Sequence, residues 1–179
     1  VSVGGSFTTI GGQSRNCFAE IDLAGAATST DILVNATVRS MVSNGSKLII
    51  AGDFSSMLNS PRYGVGAVST SNFSLSDWHG KIEDGSGRIS TVSISGSNLF
   101  VGGSFAIMDP QPRYRLAALD INGNLLSFNP NASGIVRAIK SYGGKLYVGG
   151  DFSTIGAVTS QYLSEIDPVT GIATAWNAQ

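Results

Sequence analysis

The residues able to carry chemistry are few. One histidine, His79, and one cysteine, Cys17, stand in 179 residues. A Ser–His–Asp relay would have to run through His79, and a zinc site built from several imidazoles is excluded. His79 lies in His79-Gly80-Lys81-Ile82-Glu83-Asp84-Gly85-Ser86-Gly87-Arg88. This segment gathers His79, Lys81, Glu83, Asp84 and Arg88 in a chain with only 13% charged residues, against about 25% in an average globular protein. It reads as a solvated loop and as the first candidate binding surface. Arg15, Arg62 and Arg113 join that surface; each follows a phenylalanine by eight residues, with Ser160 at the fourth such place. Arginines and aspartates recurring at fixed offsets are expected to form ion pairs or cap turns. Asp53 and Asp151 are the candidate ligands of a hydrolase-type metal site, although Ser6 and Ser104 stand at the corresponding places. The turns Asp120-Ile121-Asn122-Gly123-Asn124 and Asp167-Pro168 faintly resemble calcium loops but lack the downstream bidentate glutamate. They read as plain turns. No catalytic set converges, and no cofactor or metal is assigned.

These residues must be held by something, and internal repetition shows what. Val3-Gly4-Gly5-Ser6-Phe7 reappears as Ala51-Gly52-Asp53-Phe54, Val101-Gly102-Gly103-Ser104-Phe105 and Val148-Gly149-Gly150-Asp151-Phe152, the phenylalanines 47, 51 and 47 residues apart. Fifteen residues beyond each lies Asp22, Ser69, Asp120 or Asp167, and an aromatic follows in three copies, Trp78, Phe128 and Trp176. Constant spacing with variable insertions is what one structural unit with adjustable loops produces. The last copy divides into four strand-like pieces, Val136–Ser141, Leu146–Phe152, Tyr162–Asp167 and Ile172–Trp176. Turn chemistry separates them at Gly143-Gly144, Gly156 and Asp167-Pro168-Val169-Thr170-Gly171. Four strands in about 45 residues is the pattern of a propeller blade. The expected fold is therefore an all-β propeller of four-stranded antiparallel blades, at 1–35, 36–79, 88–129 and 135–177, forming one repeat domain. The first blade lacks its inner strand, so the chain reads either as a four-bladed ring that closes with an incomplete blade or, the preferred reading, as a segment of a longer propeller or array.

Val148-Gly149-Gly150-Asp151-Phe152-Ser153-Thr154-Ile155-Gly156, Gly12-Gln13-Ser14-Arg15-Asn16 and Arg115-Leu116-Ala117-Ala118-Leu119-Asp120 resemble the bacterial delta-sixty repeat propellers. They are less closely similar to the propeller of fungal Rax-type cortical proteins. The resemblance extends over nearly the whole chain and implies a large surface or secreted protein, with no catalytic residues to carry over. The first copy departs from it, having Ile32-Leu33-Val34 where the others have an aromatic, so an irregular blade is expected there.

Each recurring group also has a structural reading. The glycines allow close backbone approach between blades. A phosphate loop would require a following helix with Lys-Ser or Lys-Thr. Phe7, Phe54, Phe105 and Phe152 are core wedges, and Cys17 is a small buried hydrophobe with no disulfide partner. A formal net charge of −1 gives no electrostatic case for nucleic acid, and no apolar run reaches the length of a membrane helix.

Strand alternation puts the loops between second and third strands on one side with those between blades, the side where ligands are expected. The leading functional reading is a non-enzymatic extracellular or cell-surface module binding protein or glycan. The alternatives are a structural subunit of a surface filament, self-associating through the open blade edge, and a metal-dependent hydrolase or lactonase. Asn35, Asn44, Asn72 and Asn131 begin Asn-x-Ser/Thr sequons and are potential glycosylation sites if the host glycosylates.

Overall fold

The computed structural model describes residues 1–78, 80, 82 and 87–176. The described chain is all-β, and every named strand pairing is antiparallel. It falls into two compact units, Val1–His79 and Gly80–Gln179, each holding two repeats.

In the first unit, the first repeat contributes β1 (Ser2–Gly4), a small hairpin of β2 (Thr9–Ile10) and β3 (Gln13–Ser14), and β4 (Phe18–Glu20), which pairs with β1. The second repeat has β5 (Val38–Ser43), β6 (Lys47–Gly52), the hairpin β7 (Ser56–Met57) and β8 (Ser60–Pro61), and β9 (Val65–Ser69), with sheet order β5-β6-β9. The second unit repeats this plan twice. Its first sheet is formed by β10 (Ile89–Ser95), β11 (Asn98–Gly103) and β14 (Leu116–Leu119), with the hairpin β12 (Ile107–Met108) and β13 (Gln111–Pro112). Its second is formed by β15 (Val136–Tyr142), β16 (Lys145–Gly150) and β19 (Leu163–Ile166), with the hairpin β17 (Thr154–Ile155) and β18 (Val158–Thr159).

The expected fourth strand is much shorter than the pattern suggests. It makes one isolated bridge per repeat, Ile21 to Ala27, Val68 to Leu75, Leu119 to Leu125 and Ile166 to Ala173. In three repeats the chain turns just after the bridge, where the hydroxyls of Thr28, Ser76 and Thr174 accept from the backbone N–H two residues on.

The connection from the second strand to the third was expected to be loop; it is closed identically four times. The Phe7, Phe54, Phe105 and Phe152 carbonyls accept from the N–H groups of Cys17, Gly64, Arg115 and Tyr162. Those four residues all have positive φ, between 62° and 76°, so the entry to the third strand is a left-handed turn that only the second repeat builds from glycine. The small hairpin also reaches the linker preceding its own repeat: Leu58 donates to Ile32, Gly156 to Pro130, and Met108 bridges Ile82. Each of these contacts is 26 residues apart in sequence, and those of Leu58 and Gly156 join consecutive repeats of one unit.

The glycines explain the sheet geometry. A bulge follows the first residue of β5, β10 and β15, at Arg39, Ser90 and Arg137. It swings the preceding carbonyl, of Thr37, Arg88 or Ile135, into the space a β-carbon would occupy on Gly52, Gly103 or Gly150. The same carbonyl accepts from the N–H of Asp53, Ser104 or Asp151. The preceding glycines serve packing between repeats, since a β-carbon on Gly4 would meet Val38 and one on Gly102 would meet Val136. Close approach thus accounts for Gly52, Gly103 and Gly150 within a repeat and for Gly4 and Gly102 between repeats.

The core of each unit lies between its two sheets. In the first, Phe18, Ile32 and Val34 pack with Val38, Ile50, Phe54, Met57 and Val68. Ile32 and Val34 are buried, so the repeat without the aromatic is well packed there. In the second, Phe100, Leu116 and Phe128 pack with Val136, Ile139, Val148, Phe152 and Ile166. Phe54, Phe105 and Phe152 are buried as expected, while Phe7 is half-buried. Cys17 is buried too.

Replacing Gly103 with Ala should lower unfolding stability by about 1–3 kcal/mol, the cost of overpacking against a backbone carbonyl that cannot yield. Gly12→Ala, where no atom lies within 4 Å, probes the separate strain of positive φ and should cost less. Urea denaturation of the two variants beside the parent protein measures the difference.

Candidate binding surface

The three repeated arginines are built into the hairpins. Arg62 Nη1 donates to the Pro61 carbonyl at 2.8 Å, and its Nη2 crosses to the Ser76 carbonyl at 2.9 Å. Arg113 does the same with Pro112 at 2.9 Å and Leu126 at 2.8 Å, and its side chain is buried. Arg15 donates to Ser14 and Thr28. One planar guanidinium thus ties the hairpin to the short fourth piece of its own repeat, where a ladder would otherwise hold the chain. The aspartates expected as their partners act elsewhere. Asp22, Asp120 and Asp167 each accept from backbone N–H groups of the following turn. Of the two roles expected for these charges, the aspartates cap turns and the arginines bind carbonyls.

The turn donors hold two of these carboxyls below the usual carboxylate range. For Asp120 the leading cause is the Asn124 side-chain amide, and for Asp167 it is the backbone N–H of Thr170. Asp120 directs both oxygens at the turn's own donors, whereas Asp167 gives Oδ1 to its turn and faces Lys145 Nζ at 4.0 Å with Oδ2. Among the described residues, no group of three or more His, Cys, Asp or Glu side chains comes together.

Asp53 and Asp151, the candidate metal ligands, meet the residues displaced by the bulge. Arg39 donates through Nε and Nη2 to the two oxygens of Asp53 at 2.8 and 2.7 Å. Arg137 grips Asp151 in the same way at 2.7 and 2.6 Å. The charge-assisted fork lowers the Asp151 pKa and raises those of both arginines. In the third repeat both members are exchanged together, and Ser90 and Ser104 stand in place of Arg and Asp. Spacing alone did not reveal this pairing. The signal was the joint exchange of positions 14 residues apart in the same repeat.

His79, Lys81, Glu83 and Asp84 lie outside the described residues. Arg88 is described; its backbone N–H donates to Ser104 Oγ at 3.1 Å. Among the sequons, the Asn35 side chain is engaged, accepting from the N–H groups of Ser55 and Ser56 and donating to Ser55 Oγ. Asn44 caps the turn to Lys47, whereas Asn72 and Asn131 are exposed.

An open cleft of about 420 Å³ remains beside the last hairpin, lined by Asn129, Pro130 and Asn131 of one repeat and Thr154, Gly156 and Thr170 of the next, among others. Amides, hydroxyls and backbone groups share it with Pro130, Ala157 and Ile172, so it can exchange hydrogen bonds with a neutral ligand that also presents an apolar face. The last repeat also holds an aromatic pair. Tyr147 and Trp176 meet edge to face at 5.5 Å, the counterparts of Phe100 and Phe128 at 5.1 Å. The Phe pair is buried, while Trp176 is exposed. Tyr147 is bonded to Glu165, whose carboxylate raises the phenol pKa and also accepts from Thr174 Oγ1 at 3.1 Å.

No family model matches the chain, and no curated protein matches it. Solved structures that match include one from a structural and mechanistic study of two prolyl endopeptidases, 14% identical, with a TM-score of 0.47. The match covers 90% of this chain and 22% of that one. A likeness at this level decides neither fold nor activity.

Arg113→Met should cost about 1.5–3 kcal/mol through loss of charged hydrogen bonds in a buried setting, and Arg113→Lys should recover little, because one ammonium cannot span the Pro112 and Leu126 carbonyls as the fork does. Thermal melts of both variants test this. Melting temperature should also respond to acid. Because the folded pKa values of Asp120, Asp151 and Asp167 lie below the unfolded value of about 3.9, these groups contribute stability above that pH. The contribution is lost as pH falls through the lower folded values, so melts at pH 5 and pH 3 should differ, and the Asp151→Asn variant should lose less between the two.

Proposed function

We propose that the four repeats are blades of a β-propeller, and that the chain is a non-enzymatic binding or scaffolding module acting outside the cell or on its surface, with a protein or glycan as ligand. The resemblance to delta-sixty repeats points the same way. One observation carries the reading. The charged residues that recur with the repeat spend their bonds on the repeat itself, the arginines on carbonyls, the aspartates on turns, and Asp53 and Asp151 on Arg39 and Arg137. What varies between repeats is the lining of clefts such as the one at Asn129–Asn131, and function in repeat folds concentrates on such variable segments. Exposed Asn72 and Asn131 in sequons suit an extracellular setting.

A glycan array together with a pull-down from surface and extracellular fractions tests the proposal. A ligand should be captured by the parent protein, and Thr154→Trp, an exposed strand position that narrows the cleft, should abolish capture while leaving the melting temperature within about 2 °C, as for a surface change of a few tenths of a kcal/mol. Stoichiometric calcium or zinc on the purified protein, accompanied by ester or lactone hydrolysis, would instead establish the hydrolase alternative.

A further inference from the structure

At the start of the second strand, seven residues before the repeat phenylalanine, two repeats carry a lysine, Lys47 and Lys145. Register sets each beside the last position of the third strand, fifteen residues beyond that phenylalanine. In the fourth repeat this position is Asp167, and Lys145 Nζ stands 4.0 Å from its Oδ2. In the second repeat it is Ser69, directly opposite Lys47. Ser69 takes over the turn, accepting from the Ser71 N–H at 3.2 Å, but brings no negative charge. Among the described residues Lys47 forms no ion pair. The exchange therefore keeps the cation and removes its counter-charge.

An open cavity of about 260 Å³ lies at this point, inside the first unit, lined by Ser46, Lys47, Ser69, Ser74, Leu75 and Ser76. Ser74 is bonded through its backbone N–H to Asn72 Oδ1, and its hydroxyl makes no bond among the described residues. Ser76 Oγ accepts from the Trp78 N–H at 3.2 Å, which leaves its own hydrogen to donate. Hydroxyls both donate and accept, whereas an ammonium only donates, so the set suits a ligand rich in hydroxyls with one anionic group. Leu75 adds an apolar surface for the C–H face of a ring. The volume is below the roughly 300–1,000 Å³ of pockets for drug-sized molecules, which fits one sugar ring. A formal net charge of −1 gives no general attraction for anions, so the charge preference is local to Lys47.

We propose that this cavity binds an acidic sugar residue, one pyranose ring bearing a sulfate or a carboxylate. Lys47 supplies the counter-charge that Asp167 supplies to Lys145, and the serine hydroxyls exchange bonds with those of the ring. The inference rests on the glycan form of the proposed function and deepens it by naming the ligand's charge. No charged residue lines the cleft at Asn129–Asn131, so the two sites select by different chemistry.

An NMR titration of the full chain tests it, following the amide signals of Lys47 and Ser69. The probes are glucose 6-sulfate, glucuronate, glucose and inorganic sulfate. Both acidic sugars should move these signals and bind about tenfold tighter than glucose, and the preference should fall as salt is raised. Lys47→Gln should lower their affinity about tenfold. Ser69→Asp, which installs the residue carried by the other three repeats, should do the same by giving Lys47 a partner. Ser69→Asn, similar in size and uncharged, should keep binding. Melting temperatures of all three variants, recorded alongside, separate lost binding from lost folding. Equal affinity for glucose and the acidic sugars, or unchanged binding by Ser69→Asp, would overturn the inference. So would inorganic sulfate binding as tightly as the sulfated sugar, the mark of a plain anion site. A neutral glycan captured at the cleft, with the Lys47 signals unmoved by either acidic sugar, would overturn it while leaving the proposed function standing.

Discussion

The architecture depends on one close approach. At the start of each first strand a bulge drives a backbone carbonyl into the place of a side chain on the neighbouring strand, which glycine alone leaves empty. The carbonyl gains a backbone N–H in return, so a crowded contact becomes a satisfied hydrogen bond. The bulge also displaces one residue, and where that residue is Arg39 or Arg137 it grips the aspartate beside the phenylalanine. Glycine, bulge and Arg–Asp pair are thus one device. Altering one member changes what the others can be.

The charged groups extend the same economy. A strand that makes a single bridge has too few ladder bonds to hold itself, and the hairpin arginines hold it through its carbonyls. The fourth repeat shows the alternative. Ser160 replaces the arginine and its hydroxyl donates to the Leu163 carbonyl at 2.7 Å, a shorter tether confined to the start of the third strand. That repeat also carries exposed Tyr142, Tyr162, Leu163 and Trp176. Polar residues that look catalytic when counted along a sequence are here scaffolding, a consequence of short strands and few charges.

Much of this was legible in the residues before any coordinates. Repetition of Gly-Gly-x-Phe and the turn chemistry located every second and third strand, because a period-two apolar pattern bounded by glycine has few other outcomes. Burial of Phe54, Phe105 and Phe152 followed from their recurrence with the repeat and that of Cys17 from its apolar neighbours, while Phe7, read the same way, is half-buried. The fourth strand was overread. An apolar run after a turn resembles a strand whether the chain goes on along the sheet or leaves it after one bridge. The small hairpins were missed for the opposite reason, since two-residue strands carry no periodicity.

The sequence by itself determined the repeat, its all-β character, its turns and its apolar core, all of which depend on local propensity and on spacing along the chain. Only the tertiary structure decided which side chains meet. Arg39 and Asp53 are 14 residues apart, as are Arg62 and Ser76, yet one arginine finds a carboxylate and the other a carbonyl. The bulge and the hairpin aim the two guanidinium groups differently, and side-chain direction in a folded sheet is set by backbone paths that spacing does not encode.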